Sequence, residues 1–158
     1  MKKLILILLI VFAIGMFLNG SSNIVINNYD MKSTELFNRI VALTAKDLNL
    51  DTTGLRIFVS QSKFNTKMTN EIGAINYKDG LYFINIDESL AKGYLIKIFM
   101  HELVHIAQIQ QKRLVIMSVN VWFENVVYAG NVPHDERKYE KEAMNKSNEL
   151  SWKFRKDI

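Results

Sequence analysis

Cysteine is absent from this 158-residue chain, which excludes disulfides, thiolate zinc sites and a cysteine nucleophile together. Any transition-metal site must therefore be built from histidine and carboxylate. Histidine is itself scarce, with three in all, at His101, His105 and His134. Proline occurs once, at Pro133, and there are no repeats or low-complexity tracts. With 49% hydrophobic and 23% charged residues, the composition is that of a globular protein and argues against extended disorder. The length suits one domain with a genuine core.

A strong excess of one charge is also missing once the N-terminus is set aside. The formal charge is +4 and the pI about 9.2, but Lys2 and Lys3 precede an unbroken apolar run, Leu4 to Leu18. A positive start, a greasy stretch and the small polar Asn19-Gly20-Ser21-Ser22 together have the layout of an export signal. At 15 residues the run is shorter than the roughly 20 needed to cross a bilayer comfortably. No clear A-x-A cleavage site follows, so a retained anchor is the alternative. Either way the domain is expected outside the cytoplasm. Without the two lysines, 18 basic residues face 16 acidic ones. The remaining lysines are scattered, which describes a solvated surface and not a nucleic-acid footprint.

The expected organisation is a signal or anchor over 1–21, a polar tether over 22–32 and a domain over 33–158. Apolar residues at Leu36, Ile40 and Leu43 predict a helix from Thr34 to Leu48, with Ser33 as its cap. "LRIFVS", Leu55 to Ser60, reads as a strand, and 61–70 as a polar loop. Two strand-like runs, Gly73 to Tyr77 and Leu81 to Ile86, flank Lys78-Asp79-Gly80, a strong hairpin signal. A long helix then runs to about Lys112, capped by Asp87 or Ser89, with Gly93 as an early interruption. The stretch 114–133 carries no clear assignment. A charged helix from about Asp135 to Phe154 closes the chain. The fold class is α+β, with a sheet of about three strands.

Within the long helix lies "FMHELVHIAQ", Phe99 to Gln108. Positions four apart share a helix face, one turn up, so His101 and His105 can direct two nitrogens to one point. Glu102 sits beside them. Neutral imidazoles can hold Zn²⁺ while leaving a coordination position open. The metal lowers the pKa of its water, and a neighbouring carboxylate can then accept the proton. With this chain's own histidine and glutamate content, random order would give H-E-x-x-H about 0.003 times per chain. The structural alternative is a pair of satisfied core histidines.

A catalytic zinc usually takes three protein ligands. Gln108 and Gln111 stand where a metzincin would have glycine and a third histidine, so the third ligand must come from another segment. Glu140, Glu142 and His134 are the candidates. Here "RKYEKEAMNKS", Arg137 to Ser147, matters: together with HELVH it resembles the gluzincin metallopeptidases, particularly the minimal ones, over roughly Leu81 to Asn145. In that family a glutamate on a later helix, followed three residues on by alanine, completes the site. Glu140 and Ala143 match. The resemblance implies a small zincin-like domain, a zinc held by His101, His105 and Glu140, and Glu102 as general base. It also implies a cleft-lining edge strand, for which Leu81 to Ile86 is the candidate, an internal strand being the alternative. One departure stands out. Many relatives have Asp or Asn after the alanine where this chain has Met144, and Asn145 is the candidate substitute for its hydrogen bond. Tyr128, His134 and Tyr139 are candidate oxyanion stabilisers.

The resulting expectation is an exported or membrane-anchored zinc metallopeptidase acting on peptides or proteins. The alternatives are a membrane-tethered, zinc-stabilised binding or scaffold protein without turnover, and a membrane-associated helper without metal.

Overall fold

The computed structural model describes residues 23–26, 31–62, 73–87, 89–117 and 119–158. The proposed signal or anchor lies outside the described residues. Among the described residues, no helix is long and apolar enough to cross a membrane.

The fold is α+β. Strand β1 (Asn23–Ile26) leads to helix α1 (Met31–Leu48), then β2 (Arg56–Ser62), β3 (Gly73–Lys78) and β4 (Leu81–Asp87). Helix α2 (Lys92–Gln110) follows, then β5 (Leu114–Ile116), β6 (Asn120–Phe123), β7 (Val126–Ala129), a 3₁₀ turn (His134–Glu136) and helix α3 (Lys138–Lys153). One sheet has the order β1-β2-β4-β3 and a second the order β5-β6-β7. The expectation of about three strands is therefore corrected to four plus three. Part of the stretch read as a tether, Asn23–Ile26, is the strand that adds to β2 in parallel.

Alternation explains the first sheet. Ile57, Val59, Tyr82, Ile84 and Ile86 are buried, while their neighbours Phe58 and Phe83 stack on the opposite face at 5.2 Å. A strand's side chains alternate between faces, so one face is committed to the helices and the other stays half open. β2 and β4 are parallel, and β3 folds back antiparallel on β4. The turn between them uses Asp79 and Gly80, both with left-handed backbone, φ 52° and 79°, as a two-residue hairpin requires. The second sheet contains the same kind of turn at Glu124 and Asn125, φ 48° and 70°.

Helix α2 is buried on nearly every side from Phe99 to Gln108, which makes it the central strut of the molecule. Neither expected cap serves it. Ala91 occupies the N-cap position without a side-chain bond, because Asp87 still belongs to β4 and instead accepts the backbone and hydroxyl hydrogens of Ser89. Gly93 falls in the first turn and interrupts nothing. Ser33 lies inside α1, which starts two residues earlier.

Helix α3 packs on α2 through Ala143, which is fully buried. A methyl group there lets the two backbones come close enough for both helices to contribute to one site. Ala143→Leu is expected to cost about 1–3 kcal/mol through overpacking, read as a lower urea midpoint. An unchanged midpoint would show that the crossing has room to spare.

Candidate metal centre

The α2–α3 crossing brings His101, His105 and Glu140 together, all buried. His101 Nε2 and His105 Nε2 are 3.1 Å apart. Glu140 Oε2 lies 3.1 Å from the first and 3.2 Å from the second. This triangle resembles one face of a small coordination tetrahedron: ligand atoms at about 2.0–2.1 Å from zinc stand about 3.3–3.4 Å apart. Among the described residues, these three form the group that could hold a metal ion.

The hydrogen-bond chemistry explains why the cluster calls for a cation. Gln108 is buried and its amide nitrogen donates to the Tyr139 carbonyl at 3.3 Å and to Glu142 Oε1 at 3.1 Å. A carbonyl can only accept, so the other end of the amide, Oε1, must face His105 Nδ1, 2.9 Å away. That nitrogen therefore carries the hydrogen. In the neutral ring, Nε2 is left with a lone pair aimed at the cluster. A second imidazole nitrogen and a carboxylate oxygen converge on the same point. Buried acceptors crowded this way need a shared proton or a metal between them.

Burial and charge act on the site in opposite directions. Burial alone would raise the Glu140 carboxyl, but hydrogen bonds with His101, His105 and His134 hold it well below the usual carboxylate range. Burial would lower His105, and the bond to Glu140 with the charge of Glu102 raises it instead. Burial pushes the Glu102 carboxyl up, against the pull of both imidazoles.

Glu102 lines the same cleft as the cluster, a space of about 350 Å³. Its carboxylate lies directly under the backbone of Gly73: a Cβ at that position would come within 2.8 Å of Glu102 Oε1 and 2.5 Å of Ile98 Cγ2. Glycine is what lets the start of β3 pass so close. Sequence reasoning saw Gly73 only as a strand terminus, and missed Gln108 as the partner of His105. A buried glutamine one turn beyond a histidine was the available signal.

The remaining candidates fall into place. Glu142 turns away to Arg113, which donates to both its oxygens at 2.8 and 2.7 Å, and Arg113 Nε donates to Glu124 at 2.8 Å. Glu142 thus supports Gln108 and is not a member of the cluster. His134 is half exposed and its Nε2 is 3.1 Å from Glu140 Oε1, so it engages the oxygen the cluster does not use. Arg137 pins the loop that delivers it, donating to the carbonyls of Val132 and Gly130 at 2.9 and 3.2 Å. Of the three oxyanion candidates, His134 and Tyr139 line the cleft, whereas Tyr128 does not. Met144 and Asn145 are both exposed, and the residue that hydrogen-bonds His105 is Gln108. Leu81 to Ile86 is an internal strand, between β2 and β3, and the edge strand that reaches the cleft is β3.

Comparison with known protein families, curated proteins and solved structures found no match to this chain.

Two outcomes follow from this geometry. If the cluster holds a metal ion, Gln108→Leu should leave the chain folded but weaken its binding about 10–100-fold, the usual effect of losing a ligand's supporting hydrogen bond; chelator competition with zinc as the probe measures it, and unchanged affinity would dismiss the role. Because the metal-free His105 holds its proton above the ordinary histidine range, proton and metal compete there. The thermal stabilisation produced by zinc should therefore grow as pH rises from about 5 to 8. A flat profile would mean that no imidazole gives up a proton on binding.

Proposed function

We propose that the chain is a zinc-dependent metallopeptidase with a minimal, gluzincin-like version of the zincin domain, exported or held at a membrane with the domain outside the cytoplasm. The convergence of His101, His105 and Glu140 at 3.1–3.2 Å, with Glu102 in the same cleft, is the observation that carries this reading.

A zinc ion held by these three side chains would supply a Lewis acid that activates water and polarises a carbonyl. The remaining work belongs to the chain. Glu102 accepts the proton of the attacking water and passes it to the leaving amine. A base with a raised pKa in a water-poor site is suited to both transfers. Gln108 keeps His105 in the tautomer that can ligate. His134 or Tyr139 donates to the developing oxyanion. Strand β3, an edge strand among the described residues, borders the cleft at Gly73 to Ile75 and is placed to pair with an extended peptide.

A tethered binding or scaffold protein would use the same zinc without needing Glu102. Burying a carboxyl group at that position costs stability, and the scaffold reading gives it no use. Glu102→Gln should retain stoichiometric zinc while hydrolysis of an unfolded protein falls by about 10²–10⁴-fold or more; persistent hydrolysis would remove Glu102 from the mechanism. His101→Ala and Glu140→Gln should both lose the metal. Zinc bound by the wild type without cleavage of any unfolded protein would favour the scaffold, and no stoichiometric zinc would favour a metal-free helper.

A further inference from the structure

The β5–β7 sheet has one face that nothing among the described residues covers. Of the twelve large apolar side chains exposed among the described residues, five, Val115, Met117, Val119, Trp122 and Val127, lie on this face or at its margin. Register explains the concentration. Val115 pairs with Trp122 and Trp122 with Val127, so the three form a row straight across the sheet, each about half exposed, at 51%, 49% and 52%. Met117 and Val119 extend the patch at one side, at 51% and 70%. From Leu114 to Pro133 the sequence has a single charged residue, Glu124, and it is paired with Arg113. A contiguous apolar face of this kind marks an interaction surface.

Topology indicates what meets it. The apolar run Leu4 to Leu18 is followed by four residues and then Asn23, the first residue of β1. Five extended steps reach at most about 18 Å, so a domain anchored by that run cannot stand away from the bilayer. β1 begins opposite Arg56, the first residue of β2. A short turn, closed by Leu55 N–H to the Thr52 carbonyl at 3.2 Å, leads from there to Asp51. The end of α2 is fastened at this same place. Gln110 accepts from the Asp51 N–H and donates to its carbonyl, both at 2.9 Å, and Gln111 donates to the Leu48 carbonyl at 3.1 Å. The second sheet starts four residues after α2 ends, at Leu114. The first residue of β1 and the start of the apolar sheet therefore lie at the same end of the domain.

We infer that the outer face of β5–β7, centred on Val115, Trp122 and Val127, docks on the lipid surface to which the N-terminal run carries the chain. An uncharged patch with tryptophan at its centre suits the headgroup boundary, where that side chain is enriched. The opposite face of the same strands, through Leu114, Ile116 and Val121, lines the cleft. Docking would thus hold the candidate metal centre about one sheet's thickness, on the order of 10 Å, from the bilayer, and direct it to polypeptide at the membrane surface. The inference rests on the N-terminal run acting as an anchor, and on the proposed function only for that last consequence.

The test uses the full chain carrying Trp152→Phe, which leaves Trp122 as the single tryptophan. It is mixed with vesicles of equimolar phosphatidylcholine and phosphatidylglycerol, with plain or brominated acyl chains. Brominated lipid should reduce Trp122 emission by half or more, and Val115→Glu with Val127→Glu should remove most of that quenching while the chain still floats with the vesicles. Equal emission in both vesicle types, or no flotation at all, would overturn the inference. A blue shift that depends on protein concentration without vesicles would assign the patch to a second copy of the chain and equally overturn it. Zinc content, measured on the same samples, reports separately on the metal centre.

Discussion

Two imidazole nitrogens and a carboxylate oxygen that meet at one buried point need a shared proton or a metal between them, and this molecule brings such a group together. The nitrogens of His101 and His105 and one oxygen of Glu140 occupy a triangle little more than 3 Å on a side. Without a metal, the three side chains must share protons among themselves. The surrounding structure keeps them in place regardless. Ala143 allows α3 close to α2, Gln108 fixes the tautomer of His105, and Arg113 steadies Glu142, which in turn holds Gln108.

That support ties the second sheet to the site. Arg113 stands just before β5 and bridges Glu124, in the β6–β7 turn, to Glu142 on α3. Leu114, Phe123, Tyr128 and Tyr139 form a small core of their own beneath it. The sheet is thus the cleft wall on one side and an exposed apolar surface on the other.

How far the sequence could be read depended on how local each signal was. The β3–β4 hairpin was legible because Asp79-Gly80 announces its turn chemistry. The equivalent turn at Glu124-Asn125 was not, since it reaches the same left-handed backbone without glycine. The strands around it are apolar on both faces, which erases the alternation that marks a half-buried strand. Helix α2 was legible from its histidines and apolar periodicity, yet its start was not, because no side chain caps it. The convergence of His101 and His105 followed from helix geometry alone. Placing Glu140 with them, ahead of Glu142 and His134, depended on a family resemblance, and the packing of α3 is what brings it there. Gly73 acts on Glu102 from a distant strand, and no local pattern announces that contact; Gln108 faces His105 from one turn away, but the α3 groups that orient its amide are distant in sequence.

Anomalous scattering at the zinc edge, from crystals of the chain grown with zinc, tests the central claim most directly. The account predicts one strong peak about 2.0–2.2 Å from His101 Nε2, His105 Nε2 and Glu140 Oε2. No peak at that point, or a metal bound elsewhere with the three side chains hydrogen-bonded only to one another, would contradict it.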